Sequence, residues 1–475
     1  MVEDSVVLEM RRRKSGGFST INTGAGSNRQ LGWLRRNSHV WNAAFGVLDY
    51  LAYPLGLLAI APIALRALGI ERYGVWIMAT AAVGTGAIVA SGFADANTRI
   101  VARHKATDNQ TSLLRAVRTA IGIHFLLGTV AALIGWCFAP WATRLLVAAH
   151  PALVPDCRWS LRLASFLILT RSLESVCVST QRAFGRYGAA VQVSLVVRLL
   201  SLAAAGVLPF VVPTVTSVMI ASALLSVIGV ALQLVQLRRL LGTTHLGPLF
   251  HRQSASALLG FGTFTWIQAV CGVVFGQVDR LIAGFIFGAA AVASYGMAVQ
   301  LTQPIYGVAA AGLHFIFPYV ASQQVIADLP KVRQCVFWTV AINSAFVAIG
   351  LAGMLLFGVT LLRLWGGEAV ARTGSSMMST IALSTAMSSL SIAGCYSMLA
   401  LGHPRTVALL NLLGGGLMIA SIPVFTHRYG LYGMAMSRLL YGPMMLLVYL
   451  PLYLTLRQPL SKSGTAAPQT VCEEV

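Results

Sequence analysis

Apolar residues in this chain arrive in long runs, not in the alternation of a half-buried strand or the stripe of a surface helix. A helix needs about 20 predominantly apolar residues to cross the hydrocarbon of a bilayer. Cutting the runs at Gly, Pro and charge clusters predicts twelve such spans, near 42–65, 73–94, 119–139, 161–181, 189–208, 214–236, 263–288, 294–317, 335–357, 376–400, 406–425 and 431–455. The predicted fold is an all-α integral membrane protein with no soluble domain inserted between spans. The organisation that follows is a basic, Gly/Ser-rich tail over 1–39, a first lobe over 40–237 with spans one to six, and a linker over 238–262. A second lobe over 263–456 holds spans seven to twelve, and a tail over 457–475 follows. Both tails are expected to be disordered. The linker sets Leu246–Phe250 and Leu258–Phe261 beside basic residues and reads as an interfacial amphipathic segment.

Composition supports this reading and removes its main competitor. Of 475 residues 57% are hydrophobic and 10% charged, with a mean hydropathy of +0.75. A soluble globule would have to display that excess as a continuous apolar surface. The net charge of +20 and pI near 10.3 suit nucleic acid in a soluble protein, but in a membrane protein basic loops orient helices. Outside the spans, Arg66, Arg72, Arg144, Arg158, Arg363, Arg372 and Arg428 fall on one side, with Arg162 and Arg280 near the same border, and 22 Lys and Arg fall on the other with both termini. This predicts cytoplasmic termini. Residues 1–39 have no apolar core of the kind a signal peptide needs. The seven cysteines are scattered, without CxxC spacing, and argue against a metal centre or a disulfide framework.

The two halves of the chain echo each other. Leu68-Gly69-Ile70-Glu71-Arg72-Tyr73-Gly74 precedes the second span, and Phe287-Gly288 followed by Ser294-Tyr295-Gly296 precedes the eighth. Both Tyr-Gly pairs open the second helix of their half. Six helices per half gives both copies the same orientation, a parallel repeat with the substrate path between two six-helix lobes. The Leu68–Gly74 loop resembles that of Wzx-type polysaccharide flippases, members of the MOP superfamily with the MATE antiporters and the lipid II flippase. Asp279–Gly284 with Phe287-Gly288 and Tyr295, and Tyr429–Gly433 before the last span, resemble the same family. The resemblance covers about 42–455. It implies a carrier, not an enzyme, that moves a polyprenyl-pyrophosphate-linked oligosaccharide outward across the bacterial inner membrane, with no bound cofactor. A coupling proton or Na+ and a partner polymerase or chain-length regulator are further expectations of the resemblance.

Ionisable residues within spans cost about 2.5–3.5 kcal/mol on insertion scales, so each asks for a reason. Arg198 sits near the middle of the fifth span, too far from either surface to snorkel, and is expected to face a hydrated cavity. Arg280 is read as lining the same cavity, with an ion pair or an interfacial anchor as the alternatives. Arg438 either joins them or snorkels outward. Three such arginines would grip a pyrophosphate in bidentate fashion. Asp49 and Asp279 are candidate sites for the coupling ion, or members of structural ion pairs. Arg171 and Glu174, at i,i+3 on the fourth span, read as a self-neutralising structural pair. Trp41, Trp76, Trp266, Trp338 and Trp365, with Tyr53, Tyr306 and Tyr396, could stack on sugars, although interfacial belts use the same residue types.

Two other classes fit less well. A MATE-like exporter of cationic drugs needs buried acids facing its substrate, and here buried cations outnumber acids. A membrane-embedded glycan polymerase or ligase needs a base, metal ligands or a large outer loop. No DxD pair exists and the nine histidines do not cluster.

Overall fold

The computed structural model describes residues 52–86, 88–107, 109–243, 245–313, 329–401 and 403–457. The expectations for Asp49, Trp41 and both tails therefore lie outside the described residues. All regular structure among them is helical. Helix α1 (Ala52–Leu68) is followed by α2 (Ile70–Gly86), α3 (Ile88–Ala106), α4 (Gln110–Leu146), α5 (Val154–Ala183), α6 (Tyr187–Val207) and α7 (Val215–Leu241). The second half begins with α8 (Arg252–Phe287) and α9 (Ala289–Leu313). A helical stretch Leu329–Ala400 breaks at Gly367, whose φ of 75° and ψ of 178° leave the helical region, into α10 (329–366) and α11 (368–400). Helices α12 (Pro404–Tyr429), α13 (Tyr432–Leu446) and α14 (Tyr449–Arg457) complete it. Helices α2 and α3 together form the second span, and α13 and α14 the twelfth. Six stretches are long and apolar enough on their own to cross a membrane.

The same device turns the chain after the first helix of each half. Gly69 (φ 77°) separates α1 from α2, and Gly288 (φ 81°) separates α8 from α9. Left-handed φ is cheap only without a Cβ, so one glycine suffices to reverse the chain. Elsewhere side chains cap the helix starts. Asn109 accepts from Ser112 N at 3.0 Å, and Thr214 accepts from Ser217 N at 3.3 Å. The α7 terminus also receives a carboxylate from α5. Asp156 accepts Val215 N at 3.0 Å and Thr216 N at 2.7 Å, placing negative charge where the helix dipole is positive.

Where both sides of a helix contact are apolar, polar side chains fix register within the bundle. Asn97 of α3 donates to Ser179 and Thr180 of α5 at 2.8 and 2.9 Å. Gln233 of α7 donates to Ser194 of α6 at 2.8 Å, and Ser226 donates to Thr170 at 2.7 Å. Asn343 of α10 donates to the Ser389 carbonyl of α11 at 3.0 Å.

The halves meet at the end of the bundle where the predicted loops are poor in arginine. One buried cluster there runs through both: Leu65, Tyr73, Trp76, Leu146 and Met219 from the first, and Ala289, Val292, Tyr295, Met377 and Met434 from the second. At the arginine-rich end the buried residues fall into separate clusters among the described residues. One belongs to the first half with the start of α8 (Val117, Leu237, Leu258), and the other to the second half (Leu313, Val332, Leu452). The linker is shorter than the sequence suggests, because α7 runs to Leu241 and α8 starts at Arg252. Its extended residues strap onto α4: Leu249 N donates to the Arg118 carbonyl at 3.2 Å and Arg118 Nε to the Gly247 carbonyl at 3.0 Å. Leu246 is buried against that half, while Phe250 is exposed.

Candidate functional site

The two Tyr-Gly pairs face each other across the contact between halves. A Cβ on Gly74 of α2 would lie 1.8 Å from the Ala289 carbonyl oxygen at the start of α9, a backbone approach that only glycine permits. A Cβ on Gly296 of α9 would lie 2.9 Å from Ile77 of α2. The hydroxyl of Tyr73 donates to Gln300 Oε1 at 3.2 Å, from one half to the other. The echo visible in the sequence is thus a pair of mutually packed helices.

Beside this contact lies the first charged cluster. Asp279, near the end of α8, has a side chain 2% exposed. Its Oδ2 accepts from Arg438 Nη1 of α13 at 2.5 Å and from the Tyr295 hydroxyl of α9 at 2.7 Å, and its Oδ1 accepts from the Arg280 backbone N at 2.8 Å. One carboxylate so ties three helices together. Arg280 is 5% exposed and turns to neutral partners, Gln277 Oε1 at 3.4 Å and Gln303 Oε1 at 3.3 Å, with its Nε buried and without a hydrogen-bond partner. Gln277 in turn packs on Gly84 of α2. Two glutamines (277 and 303) thus hold a buried cation at the junction of the halves, where Tyr73 bonds Gln300. Arg280 does not line open space in this arrangement; contact with water or substrate requires the halves to part. Arg438 does not snorkel, because Asp279 holds it.

The second cluster is in the first half. Arg171 Nη1 donates to Glu174 Oε2 at 2.8 Å one turn along α5, and Arg198 Nη2 of α6 stands 4.0 Å from Glu174 Oε1. Glu174 is 9% exposed and Arg198 31%. Among the described residues each cluster has two arginines to one carboxylate. At the Asp279 cluster that ratio leaves a positive excess at the junction of the halves, which suits an anionic group and repels a cationic one.

Sequence reasoning did not find the Asp279–Arg438 bond, whose partners lie 159 residues apart, nor the glutamines. Gln277 with Arg280 and Gln300 with Gln303, each at i,i+3 inside apolar helices, were the available signal. Of the aromatic candidates, Trp76 is buried in the core shared by the halves and the Tyr396 hydroxyl donates to the Ala310 carbonyl at 3.3 Å, whereas Trp338 and Tyr306 are exposed. The open depression formed by Pro423, Val424, His427 and Arg428 shares no residue with either cluster. Among the described residues no three His, Cys, Asp or Glu side chains gather as metal ligands would.

A family model described as polysaccharide biosynthesis protein matches residues 43–324, more than half of the chain. The chain belongs to the polysaccharide biosynthesis protein family. No curated protein sequence matches this family member significantly. Solved structures share its fold. An inward-facing multidrug-resistance MATE family transporter of the MOP superfamily is 14% identical with a TM-score of 0.71, covering 88% of this chain and 99% of its own. An outward-facing transporter of the same description is 12% identical with a TM-score of 0.58, covering 87% and 95%. A MOP superfamily transporter from Pyrococcus furiosus, described as having a binding pocket of reverse polarity, is 13% identical with a TM-score of 0.53, covering 87% and 93%. The expected Wzx-type family and MATE-like membrane fold of two six-helix lobes both stand. This member of the polysaccharide biosynthesis family is a multi-pass membrane protein with the fold of those MOP superfamily transporters.

Proposed function

We propose that this protein flips a polyprenyl-pyrophosphate-linked oligosaccharide repeat unit from the cytoplasmic to the periplasmic leaflet of a bacterial inner membrane, for exopolysaccharide, O-antigen or capsule assembly. The observation that carries this reading is the pair of arginines, Arg280 and Arg438, gathered around the single carboxylate of Asp279 at the junction of the halves. A pyrophosphate is the part of such a substrate that arginine recognises best. With the halves joined at the arginine-poor end, the arrangement is the one that would receive a headgroup from the arginine-rich, cytoplasmic side. Arg198 meets the pyrophosphate first, and Arg280 and Arg438 meet it as the halves part. Asp279 is the coupling candidate with described geometry. Proton or cation binding to its carboxylate would weaken the bond to Arg438 and loosen α8 from α9 and α13. A polymerase or chain-length regulator then receives the exported unit.

The competing reading, a drug exporter, takes support from the MATE-like fold. The charge argues against it, since both described carboxylates of the clusters face arginines.

The decisive experiment is depletion of the gene with mass analysis of polyprenyl-linked saccharides. Complete repeat units accumulating on the carrier lipid while polymer is lost is the expected result; unchanged intermediates and polymer would overturn the reading. Arg198→Ala and Arg280→Ala are each expected to reduce export in protein that still inserts, with Arg198→Lys milder because charge remains without the planar fork.

A further inference from the structure

Three arginines at the arginine-poor end have no carboxylate beside them among the described residues: Arg144 of α4, and Arg158 and Arg162 of α5. Arg158 and Arg162 are four residues apart and share a helix face. The acid nearest in sequence, Asp156, is occupied by the α7 terminus and by Arg72 Nε at 3.8 Å.

Arg162 is held in a corner of two indoles. Its guanidinium carbon lies 4.9 Å from the Trp136 ring centroid and 5.3 Å from that of Trp159. The two rings stand nearly perpendicular, 82° apart with centroids at 6.2 Å. Both tryptophans are exposed, and the Nε atoms of Arg158 and Arg162 are buried without hydrogen-bond partners. Stacking of this kind fixes the guanidinium plane and strips water from its faces, so its remaining donors point one way. Because α5 starts at Val154, the two arginines sit roughly 6 and 12 Å along its axis at 1.5 Å per residue, within its first three turns. Around the corner, Leu133, Ile134 and Phe166 are exposed and apolar. Both rings of the corner are exposed at the surface.

We propose that this corner docks the phosphate headgroup of an anionic phospholipid from the leaflet at the arginine-poor end. The charge excess selects an anion, the guanidinium edges fit phosphate oxygens, and the flanking apolar surface takes the acyl chain. The proposal stands apart from the transport reading.

The test is native mass spectrometry of the purified full-length protein with equal amounts of phosphatidylglycerol and phosphatidylcholine. The wild type is expected to retain phosphatidylglycerol preferentially, and the double variant Arg158→Gln/Arg162→Gln to lose that preference several-fold. Arg162→Lys, which keeps the charge but not the stacked plane, is expected to fall between them and serves if the double variant folds poorly. Arg363→Gln, at the same end but paired with Glu368 at 3.0 Å, is expected to behave as wild type. Equal retention of both lipids by the wild type, undiminished preference in a folded double variant, or an equal loss in Arg363→Gln would each overturn the site.

Discussion

The two charged clusters share one recipe, a carboxylate with two arginines, and use it in opposite ways. In the first half the acid bonds an arginine of its own helix, Arg171 at 2.8 Å, while Arg198 stands farther off at 4.0 Å and is the more exposed. In the second half the acid bonds across helices, to Tyr295 and Arg438, and its sequence neighbour Arg280 is buried among glutamines. The first arrangement pairs charge within one helix and sets Arg198 in the more exposed position. The second builds a clasp between helices and hides a cation where the halves join. Counting charges alone makes the clusters equivalent; the chain distance between partners separates them.

The largest expected effect comes from breaking the clasp. Asp279→Ala would leave Arg438 buried without its counter-ion, a loss of about 3–5 kcal/mol for a broken buried pair. The variant is expected to unfold in detergent at a clearly lower temperature than the corresponding Glu174→Ala; equal losses would erase the distinction. Gly74→Val comes next, since its side chain meets the Ala289 carbonyl and cannot be accommodated while the halves are joined. Export should fail with protein level maintained, and a cysteine at Gln303 should become more reactive to a polar thiol reagent. Unchanged reactivity would mean the halves do not part at this contact. Glu174→Gln keeps a hydrogen-bond acceptor for Arg171 and is expected to lower export only a few-fold, less than Asp279→Asn, measured as polymer yield. The smallest change is Tyr295→Phe. It removes one hydrogen bond of the clasp, worth about 1 kcal/mol, and should shift the unfolding midpoint slightly with export retained.

The sequence made the architecture legible because bilayer thickness imposes a length on every span, and because Tyr73-Gly74 and Tyr295-Gly296 mark one contact from both sides. It also exposed each intramembrane charge, since such residues are rare and costly. Partnership was less legible. Arg171 and Glu174 are one turn apart and could be paired by spacing, whereas Asp279 and Arg438 meet only through the packing of α8 against α13. The glutamines around Arg280 were passed over because a neutral amide in an apolar helix stands out less than a charge. Linker length is hard to read for a similar reason: basic residues suggest a join over 238–262, yet Arg238, Arg239 and Arg252 all lie within helices.

One consequence follows from how α8 is fastened. At its start the strap and Leu258 moor it to α3 and α4 of the first half, and at its far end Asp279 rivets it to α9 and α13 of the second. It is therefore a connecting rod pinned to two separate frames. Any change of angle between those frames has to be absorbed along the rod itself, and four glycines, at 260, 262, 272 and 276, lie between the two pins.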